Sequence, residues 1–244
     1  MSTLPTVQLL ETWERGLGLP PALRTLTLLG ASWENPTLDR LADLTIGELD
    51  RRLLNLREQT FGGCLNGITT CPICGEKLEI SLNIADLYVS AADESPASFT
   101  LEQSGYNLKF RLPNGSDLLA IERDADVTHD RMRLLRRCIL SASRGTVEIA
   151  AADLPDEIVT AIAAKMAEAD PQADILISLR CPQCAHRWSA PLDISSFFWS
   201  ELDAWAVQLL RDVHAFALAY GWNETDILSL SATRRRLYLE MIGK

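Results

Sequence analysis

One short text occurs twice in this chain. CPICGEKLEISLNIADL begins at Cys71 and CPQCAHRWSAPLDISSF at Cys181, an offset of 110 residues. Both copies read Cys-Pro-x-Cys and carry a basic residue three places later, Lys77 and Arg187. They continue into Leu-Asn-Ile at 82–84 and Leu-Asp-Ile at 192–194. No other feature restricts the fold as tightly, because two halves of one site must return to the same point.

The chemistry of the pair explains why it is written twice. A Cys-x-x-Cys turn offers two sulfurs to one metal while backbone N–H groups point at them, and Zn²⁺ takes four such ligands in a tetrahedron. Proline after the first cysteine stiffens the turn, and Gly75 relieves the backbone behind Cys74. The spacing therefore predicts one structural Zn²⁺ site, Cys71, Cys74, Cys181 and Cys184. The 106 residues between Cys74 and Cys181 far exceed the ~15–20 of an ordinary ribbon. What lies between is read as an insertion. Two other readings stand beside this one: four buried thiols, and a redox pair, which lacks its usual βαβ setting. His186 lies awkwardly close to Cys184 for a ligand, and Cys64 and Cys138 read as core thiols.

Periodicity places the rest. Residues 1–62 read as helices, with a Ser/Thr-x-x-Glu capping box at Thr45 and Glu48 and a stop at Gly62-Gly63. Leu78, Ile80, Leu82 and Ile84 alternate as a half-buried strand after the first knuckle. ADESPAS reads as a polar linker. SFTLEQSGYNLKFRL reads as a hairpin turning at Ser104-Gly105, with Tyr106, Leu108, Phe110 and Leu112 inward. Asn114-Gly115 reads as a further turn. Helices are expected over DVTHDRMRLLRRCILSAS and LPDEIVTAIAAKMAEAD, then strands at DILISLR and RWSAPLDI. A long helix follows with Phe198, Leu202, Trp205, Leu209, Val213, Phe216 and Tyr220 on one stripe, then a polar turn, NETD, and a short helix. The expected fold is α+β: a split Cys₄ zinc ribbon (63–90 and 175–195) carrying an inserted α/β segment (91–174), flanked by N-terminal (1–62) and C-terminal (196–244) helices.

Charge bounds the partners. With 33 acidic against 23 basic residues and a formal charge of −10, the chain repels phosphate, so nucleic acid is not an expected partner. No apolar run reaches the ~20 residues that cross a bilayer, and MSTLPTVQLLETWERG lacks the pattern of a signal peptide. The expected location is the cytoplasm of the producing cell, with incorporation into a larger particle left open. A full Cys₄ site has no open coordination position. HExxH, Gly-x-Ser-x-Gly, phosphate-loop and Rossmann patterns are absent from the sequence, and His129 and His214 fall in helical patterns. The expectation is a non-enzymatic protein. Two rivals are a zinc-ribbon adaptor binding nucleic acid or protein, and a zinc-stabilised enzyme.

The C-terminal text is more particular. The His214–Tyr220 helix, Gly221-Trp222, Asp226 to Ser231 and Arg234 to Glu240 occur in an order that resembles a baseplate protein family. That family is found in contractile-tailed phages and extracellular contractile injection systems. FRLPNGSDLLAI (110–121), MAEADPQADI (166–175), both knuckles and LLETWERGLG extend the resemblance almost end to end. It implies a baseplate component or assembly factor, with baseplate, hub or spike proteins as partners. The aromatic content of the last helix and the basic run mark Trp199, Trp222, Arg234, Arg235 and Arg236 as candidate partner contacts. Internal packing and a solvated helix face are the plainer readings of the same residues.

Overall fold

A computed structural model describes residues 4–33, 37–89, 96–121 and 127–243, with residues 127–131 described by backbone alone. Four helices open the chain: α1 (Thr6–Gly16), α2 (Pro21–Ala31), α3 (Leu38–Ala42) and α4 (Ile46–Phe61). Proline starts α2 at a position where a missing N–H costs nothing. Half of the predicted capping box forms at α4. Thr45 Oγ1 accepts the Glu48 N–H at 3.2 Å, while the Glu48 carboxylate pairs instead with Arg52 at 2.6 Å. Gly62, at φ 89°, ends the helix as expected.

Two antiparallel strands follow, β1 (Cys64–Thr70) and β2 (Lys77–Asn83). The middle of the chain contains β3 (Phe99–Gln103), β4 (Tyr106–Phe110), α5 (Gly115–Ala120), α6 (Val127–Cys138), β5 (Ile139–Arg144), β6 (Val147–Glu148) and α7 (Asp156–Ala169). The predicted hairpin turns at Ser104-Gly105, both at positive φ. It belongs to a larger object than predicted, an antiparallel four-stranded sheet ordered β3-β4-β5-β6. The expected helix through Cys138 and beyond stops there, because Ile139 to Arg144 pair with β4. Asn114-Gly115 is a helix start and not a free turn. Asn114 and Asp117 cap α5 reciprocally, and the buried Asp117 binds Arg111 at 2.6 and 2.9 Å and Arg137 at 3.0 Å. This sheet and α7 enclose a core of their own, including Leu108, Phe110, Ile158 and Ile162. Most of the predicted ADESPAS linker lies outside the described residues, as does the His129 side chain.

The chain then forms β7 (Leu176–Arg180) and β8 (Arg187–Pro191), a second two-stranded hairpin. It ends in α8 (Ile194–Tyr220), α9 (Glu224–Ser229) and α10 (Ala232–Met241). Gly221 caps α8 in the left-handed region at φ 66°. NETD is not a turn: Asn223 accepts the Asp226 N–H at 2.9 Å and opens α9. The stripe on α8 is buried at Phe198, Leu202, Leu209 and Phe216, while Trp205 and Val213 are half-buried and Tyr220 is exposed.

Helix α8 organises the main core. Phe198, Leu202 and Leu209 join Leu9, Leu10 and Trp13 of α1, Leu28 and Leu29 of α2, and Leu49, Leu53 and Leu56 of α4. Polar contacts fix the register. Trp13 Nε1 donates to Asp203 at 2.9 Å, and the buried Arg57 makes a two-pronged pair with Glu201 at 2.6 and 2.7 Å. The architecture is mixed helix and sheet, with three small antiparallel sheets among the described residues.

Candidate metal centre

Each Cys-Pro-x-Cys knuckle replaces the turn of a hairpin. Thr70 pairs with Lys77 where β1 and β2 meet the first, and Arg180 with Arg187 where β7 and β8 meet the second. Their hydrogen bonds repeat almost atom for atom. Cys71 N–H donates to Glu76 O at 2.8 Å and Gly75 N–H to Cys71 O at 3.0 Å; Cys181 N–H donates to His186 O at 2.9 Å and Ala185 N–H to Cys181 O at 3.0 Å. Gly75 and Ala185 both hold positive φ, 74° and 57°. The repeated sequence is thus a repeated backbone.

The two knuckles meet. All four sulfurs lie within 4.8 Å of one another, with Cys71 Sγ 3.7 Å from Cys184 Sγ and Cys74 Sγ 3.6 Å from Cys181 Sγ. A disulfide needs ~2.05 Å, and all six cysteines are free thiols. Cys71 and Cys181 are 2% and 1% exposed and pack with Leu78 and the half-buried Trp188. Cys74 and Cys184 face outward. His186 stacks on Trp188, with ring centroids 5.8 Å apart, and does not belong to the cluster.

The thiols of Cys71 and Cys74 are pulled in opposite directions. Burial pushes Cys71 up, but N–H groups from Cys74 and Ile73 and the neighbouring thiols outweigh it and bring it down to about 7. Cys74 accepts a hydrogen bond from the Glu76 backbone, which lowers it, yet burial and the other three thiols push it up to about 12. Backbone N–H groups thus favour a thiolate at Cys71, while the neighbouring thiols keep the proton on Cys74. Among the described residues this is the cluster able to hold a metal ion.

The candidate partner contacts do not form one surface. Trp199 is half-buried, with its ring against Gly16 and Arg24 stacked on it at 4.5 Å. Trp222 lies about 30 Å further along, stacked with Tyr220 and Phe216 and edge-on to Tyr238. Arg234 and Arg236 are exposed, whereas Arg235 is only 8% exposed, with no partner for Nη1 among the described residues. His214 is exposed beside Val207 and Leu210.

Sequence reasoning missed Asp50. It follows Ile46 by four places and precedes Leu53 by three, so it occupies the apolar stripe of α4. A carboxylate at that position was the available signal. Burial, followed by the nearby Asp193 and Asp170 charges, pushes it up to about 7.

A folded chain whose remote hairpins close a four-thiol centre is a class of metal-capable mixed helix and sheet protein. Its family is more specific. A family model described as "T4 bacteriophage base plate protein" matches residues 33–199, more than half of the chain, and includes both knuckles. The chain belongs to that baseplate family. No curated protein and no solved structure matches it.

Proposed function

We propose that the chain is a non-enzymatic structural component or assembly factor of the baseplate in a contractile phage tail or related injection system, and that its four cysteines hold one structural Zn²⁺ in a split ribbon. The family match across residues 33–199 carries the baseplate reading. It implies contact with other baseplate proteins and incorporation of the chain into the particle. No helix among the described residues is long and apolar enough to cross a membrane.

The donor set supports zinc. Four thiolates at ~2.3 Å from a tetrahedral ion lie about 3.8 Å from one another, close to the 3.6 and 3.7 Å between opposed sulfurs here. Zinc bound there would have no open position. Its chemistry would be confined to joining the hairpins, so that binding energy becomes folding energy. The chain's own groups prepare the site. Backbone N–H donors in each knuckle favour thiolate, and Leu78 and Trp188 shield one side.

Metal analysis of protein purified without chelator should find one zinc per chain. Cys71→Ser and Cys181→Ser should lose both metal and cooperative unfolding, while Cys64→Ser, exposed and remote from the cluster, should keep both. A metal-free, fully folded wild type would refute the site. Intact, infective particles produced without the gene would refute the baseplate role.

A further inference from the structure

A groove of about 750 Å³ opens where separate parts of the chain converge. Its walls come from the start of α2, the first turn of α4, the end of α5, the segment entering β7, and the junction of β8 with α8. Pro21, Leu23, Leu118, Leu119, Ile175 and Leu192 give it an apolar lining. The volume is that of a ligand-sized cleft.

Its charge is one-sided. Asp50, Asp174 and Asp193 line the groove, and among the described residues no lysine or arginine does. Asp193 is occupied at the start of α8, accepting from Ser196 at 2.6 and 3.0 Å. Asp50 makes no hydrogen bond or ion pair among the described residues, and its elevated pKa reflects burial beside like charge. A half-buried carboxylate without a counter-ion costs stability. An asparagine there would serve folding better. These acids do not group closely enough to share a metal ion among the described residues.

We propose that this groove receives a segment of another protein in which a lysine or arginine adjoins two or three apolar side chains, the cation meeting Asp50 and the apolar groups covering Leu118, Leu119 and Leu192. The acidic apolar cleft complements that chemistry, and desolvated charge pairs at such a centre contribute both affinity and register. This deepens the proposed baseplate role and rests on it only for the source of the segment.

The test uses the full chain in cells assembling the particle. Leu119, on the groove and partly exposed, is replaced by the photo-crosslinker p-benzoylphenylalanine, and the attached peptide is sequenced. Leu218, exposed near the end of α8, serves as the second position. The expected product joins Leu119→p-benzoylphenylalanine to a peptide of another protein with lysine or arginine within a few residues of the linkage. Asp50→Asn, which removes the ionisable group at nearly constant size and does not threaten folding, should lower the yield roughly tenfold. Asp50→Lys combined with an acidic replacement of the partner's cation should restore it.

Crosslinks only to the same chain or a second copy would overturn the proposal. So would an attached peptide without a cation, a yield unmoved by Asp50→Asn, or no product. The two readings separate cleanly. Particle proteins captured from Leu218 but not Leu119 would leave the baseplate role standing and remove the groove. A cationic segment captured from a protein outside the particle would do the reverse.

Discussion

Ala185 and Gly75 occupy equivalent positions in two nearly identical turns, yet only one of them is glycine. The left-handed region costs an L-residue roughly 1–2 kcal/mol, and glycine returns part of that through its freer unfolded chain. Ala185→Gly should therefore stabilise the metal-loaded protein by about 0.5–1 kcal/mol, and Gly75→Ala should destabilise it by about 1 kcal/mol, both read from denaturant midpoints. If neither substitution moves the midpoint, the knuckles are not strained as their φ values of 57° and 74° imply. Asp50 makes a second prediction, with a defined sign. Its folded pKa, about 7, lies above the ordinary 3.8, so the folded state holds the proton more tightly. Wild type should lose stability relative to Asp50→Asn as pH rises from about 4 to 7 and then level off, to a deficit on the order of a few kcal/mol. Urea unfolding of both proteins across that range measures it. A difference independent of pH would show that the carboxyl is not held in its neutral form.

Helices α1 and α8 approach so closely that a methyl at Gly16 would collide with the Trp199 ring. Gly16→Ala should thus destabilise despite alanine's better helix propensity, and Trp199→Leu should relieve much of that clash. A double-mutant cycle by thermal or urea unfolding should give coupling of about 1–2 kcal/mol; additive effects would mean the ring swings away freely. At this scale the sequence was readable where one element's own residues decide its form. The four cysteines carry their chemistry in their identity, and Gly62 and Gly221 mark helix ends by themselves. The Ser104-Gly105 turn and the 3.6-residue stripe of α8 are equally local. The text failed where a partner decides. CLNGITT becomes β1 only through its full register with β2. Ile139 to Arg144 leave the helical pattern because β4 offers them hydrogen bonds. Arg57 is buried only because Glu201, distant in sequence, meets it, and the groove around Asp50 is assembled from segments no short window contains.

Across the whole molecule the four-thiol cluster and the C-terminal helices lie toward different ends of α8, whose 27 residues extend about 40 Å. Removing 223–244 should strip Tyr238 from Phe216 and Tyr220 and leave Trp222 stacked on both, while leaving zinc content unchanged. Loss of zinc from that truncated protein, measured by metal analysis, would mean the two ends fold as one unit. The long separation of the two knuckles also has a meaning in time. During synthesis at ~5–20 residues per second, Cys71 and Cys74 wait roughly 5–20 s for Cys181 and Cys184 to be made. The leucines of α4 wait longer still, for Phe198 and Leu202. Until then the first knuckle is an open two-thiol claw and the early helices are an unroofed apolar surface. The repeated motif therefore works as a latch on the order of events: the nascent chain stays uncommitted, and exposed to rescue or capture, until its second half closes over its first.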